Sequence, residues 1–224
     1  MAIESRKKRA GRPPAQQDEQ ARERLLQTAL VLFAENGIAG VADSSIARQA
    51  GVTPAMIRYY FQSRDAMLDA IFEEHLLPFI QHLWTMDETT WTHSLDVLLH
   101  ISQGVIDGAV EKPWLPRLWV REVLHESGLL RSRLMRHLPV KSLRRLRELA
   151  IAEQEQGLIA PQIQPGLLFV SVMGLTMLPL AIDIWRNLPG TEKIGNRELA
   201  QHAAALLRHG LYGAHAPQRK GAKK

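Results

Sequence analysis

The stretch from Asp43 to Arg64, DSSIARQAGVTPAMIRYYFQSR, constrains this chain more than any other. It predicts two short helices around a tight turn. The first spans 44–50, with Asp43 as N-cap and Ile46 and Ala47 as a small apolar face. Gly51 follows and suits the left-handed backbone that ends a helix. Val52 plugs the turn. Thr53 caps the second helix, and Pro54 takes its first position, where a missing N–H costs nothing. That helix runs to about Phe61. A short helix, a glycine turn and a capped second helix is the sequence form of a helix-turn-helix.

The second helix has two faces. Ile57, Tyr60 and Phe61 share one side at helical spacing and should pack inward. Ala55 and Tyr59 point the other way, flanked by Met56 and Arg58. A small residue, an aromatic hydroxyl and a guanidinium suit a helix pressed into a DNA major groove, where Arg58 can read a guanine edge or grip phosphate. The same residues would also serve an ordinary helical hairpin with a solvated outer face.

With its flanks, the stretch resembles the DNA-binding domain of the tetracycline-repressor (TetR) family. The matching pattern is Leu26, Ala29, Phe33, Gly37, Ile46, Ala47, Ala50, Gly51, Val52, Ile57, Tyr60, Phe61, Arg64 and Leu68. It covers roughly the first third of the chain. The family often has Gly where Ala55 stands, Tyr for Arg58 and Lys for Arg64. A Thr common at the start of the first motif helix is Ala42 here, so Asp43 or Ser44 must supply the cap. The resemblance implies an all-α fold: a three-helix helix-turn-helix domain joined to a helical ligand-binding and dimerisation domain. The residues expected at DNA are Arg9, Arg12, Ser44, Ser45, Thr53, Pro54, Ala55, Met56, Arg58, Tyr59, Tyr60 and Arg64.

Composition narrows the alternatives. The 224 residues are 46% hydrophobic, ample for a core, and carry no cysteine, which excludes disulfides and thiolate metal sites. The formal charge is +5, and its placement matters more than its total. Residues 1–17 form a basic arm containing Arg6, Lys7, Lys8, Arg9 and Arg12, too polar to be a secretory signal. Its Gly-Arg-Pro run, Gly11 to Pro13, resembles minor-groove hooks. A solubilising tail is the plainer reading.

An amphipathic helix is expected over 18–36, with Leu25, Leu26, Ala29, Leu32 and Phe33 on one face and Asn36-Gly37 closing it. Ser63 caps a further helix beginning at Arg64, whose free N–H groups could hold a phosphate. Pro78 should kink or end that helix. In the family this helix is the lever between ligand and reading head. Helical periodicity continues over 91–110, 114–125, 129–137, 140–156, 165–188 and 197–212. No strand pattern appears.

The run from Leu167 to Ile182 is nearly all apolar but short for a membrane span, which needs about 20 residues. A helix apolar all round in a soluble protein is buried all round, most simply at a subunit interface that also touches the core. Similarity to the family implies that this helix and the one over 197–212 build a four-helix dimer bundle. Two recognition helices would then face a pseudo-palindromic site. The chain thus divides into a disordered basic arm (1–17), a helix-turn-helix domain (18–66), a ligand-binding and dimerisation domain (67–213) and a basic tail (214–224).

Candidate ligand contacts are Trp84, His100, Trp114, Arg117, Arg121, His125, Met173 and Met177, with His93 and Asp96 beside them. Arg117 and Arg121, one turn apart, could hold an anion. An ion pair of either with Glu122 or Glu126 is the plainer reading. No HExxH, GxSxG, GxGxxG or GxxxxGK[ST] pattern occurs, so an enzyme is not expected, and no cofactor. His75 with His82, His93 with His100, and His202 with His209 stand seven apart, too far to share a metal without other ligands. The expected function is a cytoplasmic, ligand-responsive dimeric repressor of an adjacent efflux or catabolic operon. An architectural DNA-binding protein and a metal-sensing regulator are the rivals.

Overall fold

The computed structural model describes residues 15–182 and 184–212. The expected arm contacts Arg9 and Arg12, and the basic tail, lie outside the described residues. Every regular element among the described residues is a helix, with no strand among them.

Helix α1 (Ala15–Asn36) starts three residues earlier than expected. Its Leu25, Leu26, Ala29, Leu30 and Phe33 are fully buried. It ends at Gly37, whose φ of 76° needs a residue without a Cβ. Helix α2 (Asp43–Gln49) begins one residue before the expected start. Ala42, not Asp43, occupies the N-cap, and its carbonyl accepts the N–H groups of Ser45 and Ile46. Asp43 is freed to pair with Arg64 instead. Gly51 turns the chain with φ 71°, and Val52 N–H closes on Ala47 O at 2.9 Å. Helix α3 (Pro54–Phe61) follows, with Thr53 at the N-cap position but making no side-chain capping bond.

Ser63 caps α4 (Arg64–Ile71), its Oγ accepting the Ala66 N–H at 3.1 Å. The rod then continues through a π-helical stretch (Phe72–Leu76) into α5 (Leu77–His82). Pro78 therefore does not end it. A proline ring clashes with the carbonyl four residues back. Here Leu77 N–H reaches Phe72 O, and the wider turn accommodates Pro78.

The C-terminal region wraps around α6 (Ser94–Glu111), which packs on α10 (Leu168–Ala181), α11 (Asn196–Tyr212) and α9 (Val140–Glu155). A close approach to α5 depends on two glycines. A Cβ on Gly108 would sit 2.5 Å from the Phe79 ring, and one on Gly104 would sit 2.8 Å from Leu83. The helix expected over 114–125 is a single turn, α7 (Leu115–Leu118), followed by a π-helical segment (Trp119–Leu124); α8 (Arg131–Arg136) follows. The helix expected over 165–188 stops at Ala181, flanked by 3-10 turns at Pro165–Leu167 and Ile184–Asn187.

Glu153, 3% exposed, gathers the start of α6. It accepts the Ser94 N–H and hydroxyl and meets His93 Nδ1 at 3.0 Å; Tyr212 Oη lies 3.2 Å from the same serine. One buried carboxylate thus ties α6, α9 and α11 together, with each of its oxygens partnered.

Helix α10 departs from the expectation of all-round burial. Leu168, Val172, Met173, Thr176 and Met177 are buried, but Leu167, Val170, Gly174, Leu178 and Ile182 form an exposed stripe. Among the described residues, no helix is long and apolar enough to cross a membrane.

Candidate nucleic-acid interface and effector cavities

Helix α3 presents its outer face as its periodicity predicts. Ile57 and Phe61 are buried, while Thr53, Pro54, Ala55, Arg58 and Tyr59 are exposed. Met56 and Tyr60 are half-buried between them. Tyr59, 58% exposed, stands edge-on to Tyr60 with ring centroids 5.0 Å apart. On α2, Ser44 is exposed and Ser45 half-buried. The surface therefore combines a small alanine, a guanidinium and a phenol.

Two residues expected at DNA hold this surface in place from behind. Tyr60 Oη donates to Asp18 Oδ1 at 2.7 Å, fastening α3 to the start of α1. Burial, followed by that hydrogen bond, pushes the hydroxyl up to about 12, so it stays protonated and donating. Arg64 turns inward instead of standing at the helix end. Its guanidinium pairs with Asp43, donates to Ile38 O at 2.5 Å and Val41 O at 2.7 Å, and lies over the Phe33 ring. Loop carbonyls with no helical partner need donors, and a planar five-donor fork can serve several at once.

The expected ligand residues do not converge on one pocket. His93, Asp96 and His100 line a 620 Å³ cavity between α6 and α11, together with Trp91 and Arg208. Arg117 and Arg121 line a different cavity, 370 Å³, shared with Ala34, Glu35 and Ile182. Trp84 instead packs on Trp91 and Phe169, and Trp114 stands edge-on to His75. Met173 and Met177 are core, and His125 is exposed with Ser127 Oγ at 2.9 Å. Helical spacing placed these residues on correct elements, but which face looks into which space depends on packing. A third cavity, 650 Å³ and largely apolar, lies between the end of α10 and the start of α11, where Ile182 borders it as well.

Arg121 and Glu122 stand out in the sequence without the role they have here, and Arg133 does not stand out. Glu122, 6% exposed, accepts the Ile38 N–H at 2.8 Å and the Leu129 N–H at 3.2 Å. Its neighbour Arg121 donates to Glu35 O at 2.6 Å, capping the end of α1. Arg133, 7% exposed, binds Asp65 and Asp69 at 2.6 Å each on α4. The only signal in the sequence was a charged pair inside the apolar run WVREVL, and a surface ion pair explains that equally well.

Residues 25–71 match the family model "Bacterial regulatory proteins, tetR family". The chain is 26% identical over 112 residues to the probable HTH-type transcriptional regulator YttP of Bacillus subtilis (strain 168), covering 50% of this chain. It spans about half the length (54%) of that relative. Similar solved structures include the ketosteroid transcriptional regulator KstR2 of Mycobacterium tuberculosis (TM-score 0.66, 16% identity, 85% of this chain and 94% of that one). Two others were solved with ligand. They are AibR with isovaleryl coenzyme A and operator DNA (0.63, 19%, 86% and 98%) and FadR of Bacillus subtilis with stearoyl-CoA (0.60, 20%, 83% and 96%). At these identities the likeness is one of fold. Residues 25–71 thus carry the helix-turn-helix of the tetR family of bacterial regulatory proteins, and the helical region built on it shares the fold of those solved regulators.

Proposed function

We propose that the protein is a dimeric repressor that a small molecule releases from a pseudo-palindromic operator. The reading divides it into a helix-turn-helix domain at 18–66 and a ligand-binding and dimerisation domain at 67–213. It works in the cytoplasm, where the chromosome is, on an adjacent efflux or catabolic operon. The observation that carries this is the outer face of α3: Ala55, Arg58 and Tyr59 exposed on a helix whose inner face is buried and whose neighbours are bolted down by Tyr60 and Arg64. The exposed stripe on α10 supports pairing of two chains, which would bring two such faces to one duplex.

The effector needs no chemistry. It has only to favour the arrangement that does not fit DNA. Two similar folds hold coenzyme A thioesters. Here Arg117 and Arg121 border one cavity, an apolar cavity lies beside it, and Ile182 is common to both. That arrangement suits an amphipathic anion, and the arginine-lined cavity touches the end of α1 at Glu35.

The test is fluorescence anisotropy with the gene's own upstream duplex and random duplex at two salt concentrations, with and without acyl-CoA thioesters. Preference for the upstream duplex, abolished by a thioester, is the expected result. Equal affinity for both duplexes would remove the reading in favour of a non-specific DNA-binding protein.

A further inference from the structure

Three side chains from different parts of the fold meet where α1 crosses the π-helical stretch. Glu23 comes from α1, and Glu74 and His75 come from the stretch itself. One donor atom from each lies within 4.8 Å of the others. His75 is 8% exposed, yet its Nε2 has no hydrogen-bond partner among the described residues. That nitrogen faces Glu23 Oε1 at 3.9 Å. A buried imidazole nitrogen left without a partner is costly, and native structures seldom leave one without a reason.

We infer that Glu23, Glu74 and His75 form a binding site for a divalent first-row transition ion, bridging α1 and the long connecting helix. Two carboxylates and one imidazole are a donor set for zinc or manganese, whereas magnesium and calcium take oxygen alone. The three protein donors leave room in the coordination shell for water. A π-helical turn, rare in itself, recurs at functional sites.

The site contains its own competitor. Arg22 binds both oxygens of Glu74, at 2.8 and 2.5 Å, and lies over the Phe61 ring. Gln27 donates to Glu23 Oε1 at 2.8 Å, and Lys112 adds positive charge nearby. A metal ion must take Glu74 from Arg22, so the guanidinium sets the affinity. Arg22 also lies over Phe61, so the site adjoins α3. The inference stands on ligand geometry and is independent of any reading of DNA or effector.

The test is isothermal titration of the full chain with zinc and, separately, with manganese and magnesium. One zinc per chain is expected, with no magnesium heat. Glu23→Gln is a surface change that leaves the fold intact, and it should weaken binding about tenfold or more. Arg22→Ala should tighten it about tenfold by removing the competing cation. His75→Gln should abolish it, with circular dichroism reporting the fold. Zinc uptake unaffected by Glu23→Gln would assign the heat to surface histidines and overturn the site. So would binding left unchanged or weakened by Arg22→Ala.

Discussion

Glu122, in the π-helical segment after α7, accepts the backbone N–H of Ile38 at 2.8 Å from the loop between α1 and α2. The second carboxylate oxygen takes Leu129, so one buried side chain joins the α1–α2 loop to the loop before α8. Glu122→Ala leaves both N–H groups without that acceptor. Each stranded buried donor costs about 1–3 kcal/mol. At about 2–4 °C per kcal/mol for a chain of this size, a calorimetric melt should show the loss clearly. A variant melting with the native chain would show that water replaces the carboxylate.

Arg58→Ala and Tyr59→Ala should behave in the opposite way. Both side chains are exposed and far from the core, so stability should change by no more than about 0.5 kcal/mol. Binding to the preferred duplex should weaken by about 1–3 kcal/mol for Arg58→Ala, with less discrimination against random duplex. Competition anisotropy checks this, and unchanged discrimination in the double variant would remove α3 as the reading helix.

Two glycines on C-terminal helices should respond with opposite signs. At Gly108 a Cβ would meet the buried Phe79 ring at 2.5 Å, so overpacking costing about 1–3 kcal/mol should exceed the helix-propensity gain of about 1 kcal/mol. At Gly210 no described atom lies within 4 Å of an added Cβ, so Gly210→Ala should keep that gain. Urea melts of the two variants measure both, and a stabilised Gly108→Ala would contradict the close α5–α6 approach.

Gly174 lies in the exposed stripe of α10, with open space around it. Gly174→Glu suits an isolated helix better than glycine does. At a subunit interface it would place a charge against apolar surface. Light scattering should therefore find single chains for this variant and dimers for the native protein. A dimer that tolerates the change would move the interface off this stripe.

Much of this was written in local chemistry. Gly37 and Gly51 both adopt positive φ where a turn was expected, Pro54 opens α3, and Ser63 caps α4. Each of these depends on a residue and its immediate neighbours, so the chain alone decides it. The split of α3 into a buried Ile57 and Phe61 and an exposed Arg58 and Tyr59 follows from the helical repeat for the same reason.

Tertiary structure decided what a side chain does once its helix exists. Arg64 turned from a phosphate ligand into a loop clamp because the loop carbonyls of Ile38 and Val41 lay within reach. Glu122, Arg133 and Glu153 became buried anchors through partners 59 to 84 residues away, a separation no local pattern encodes. Glu23 and His75 meet only because α1 crosses the π-helical turn that accommodates Pro78. Periodicity determines which side of a helix is wet; the crossing of one helix over another determines which charges meet.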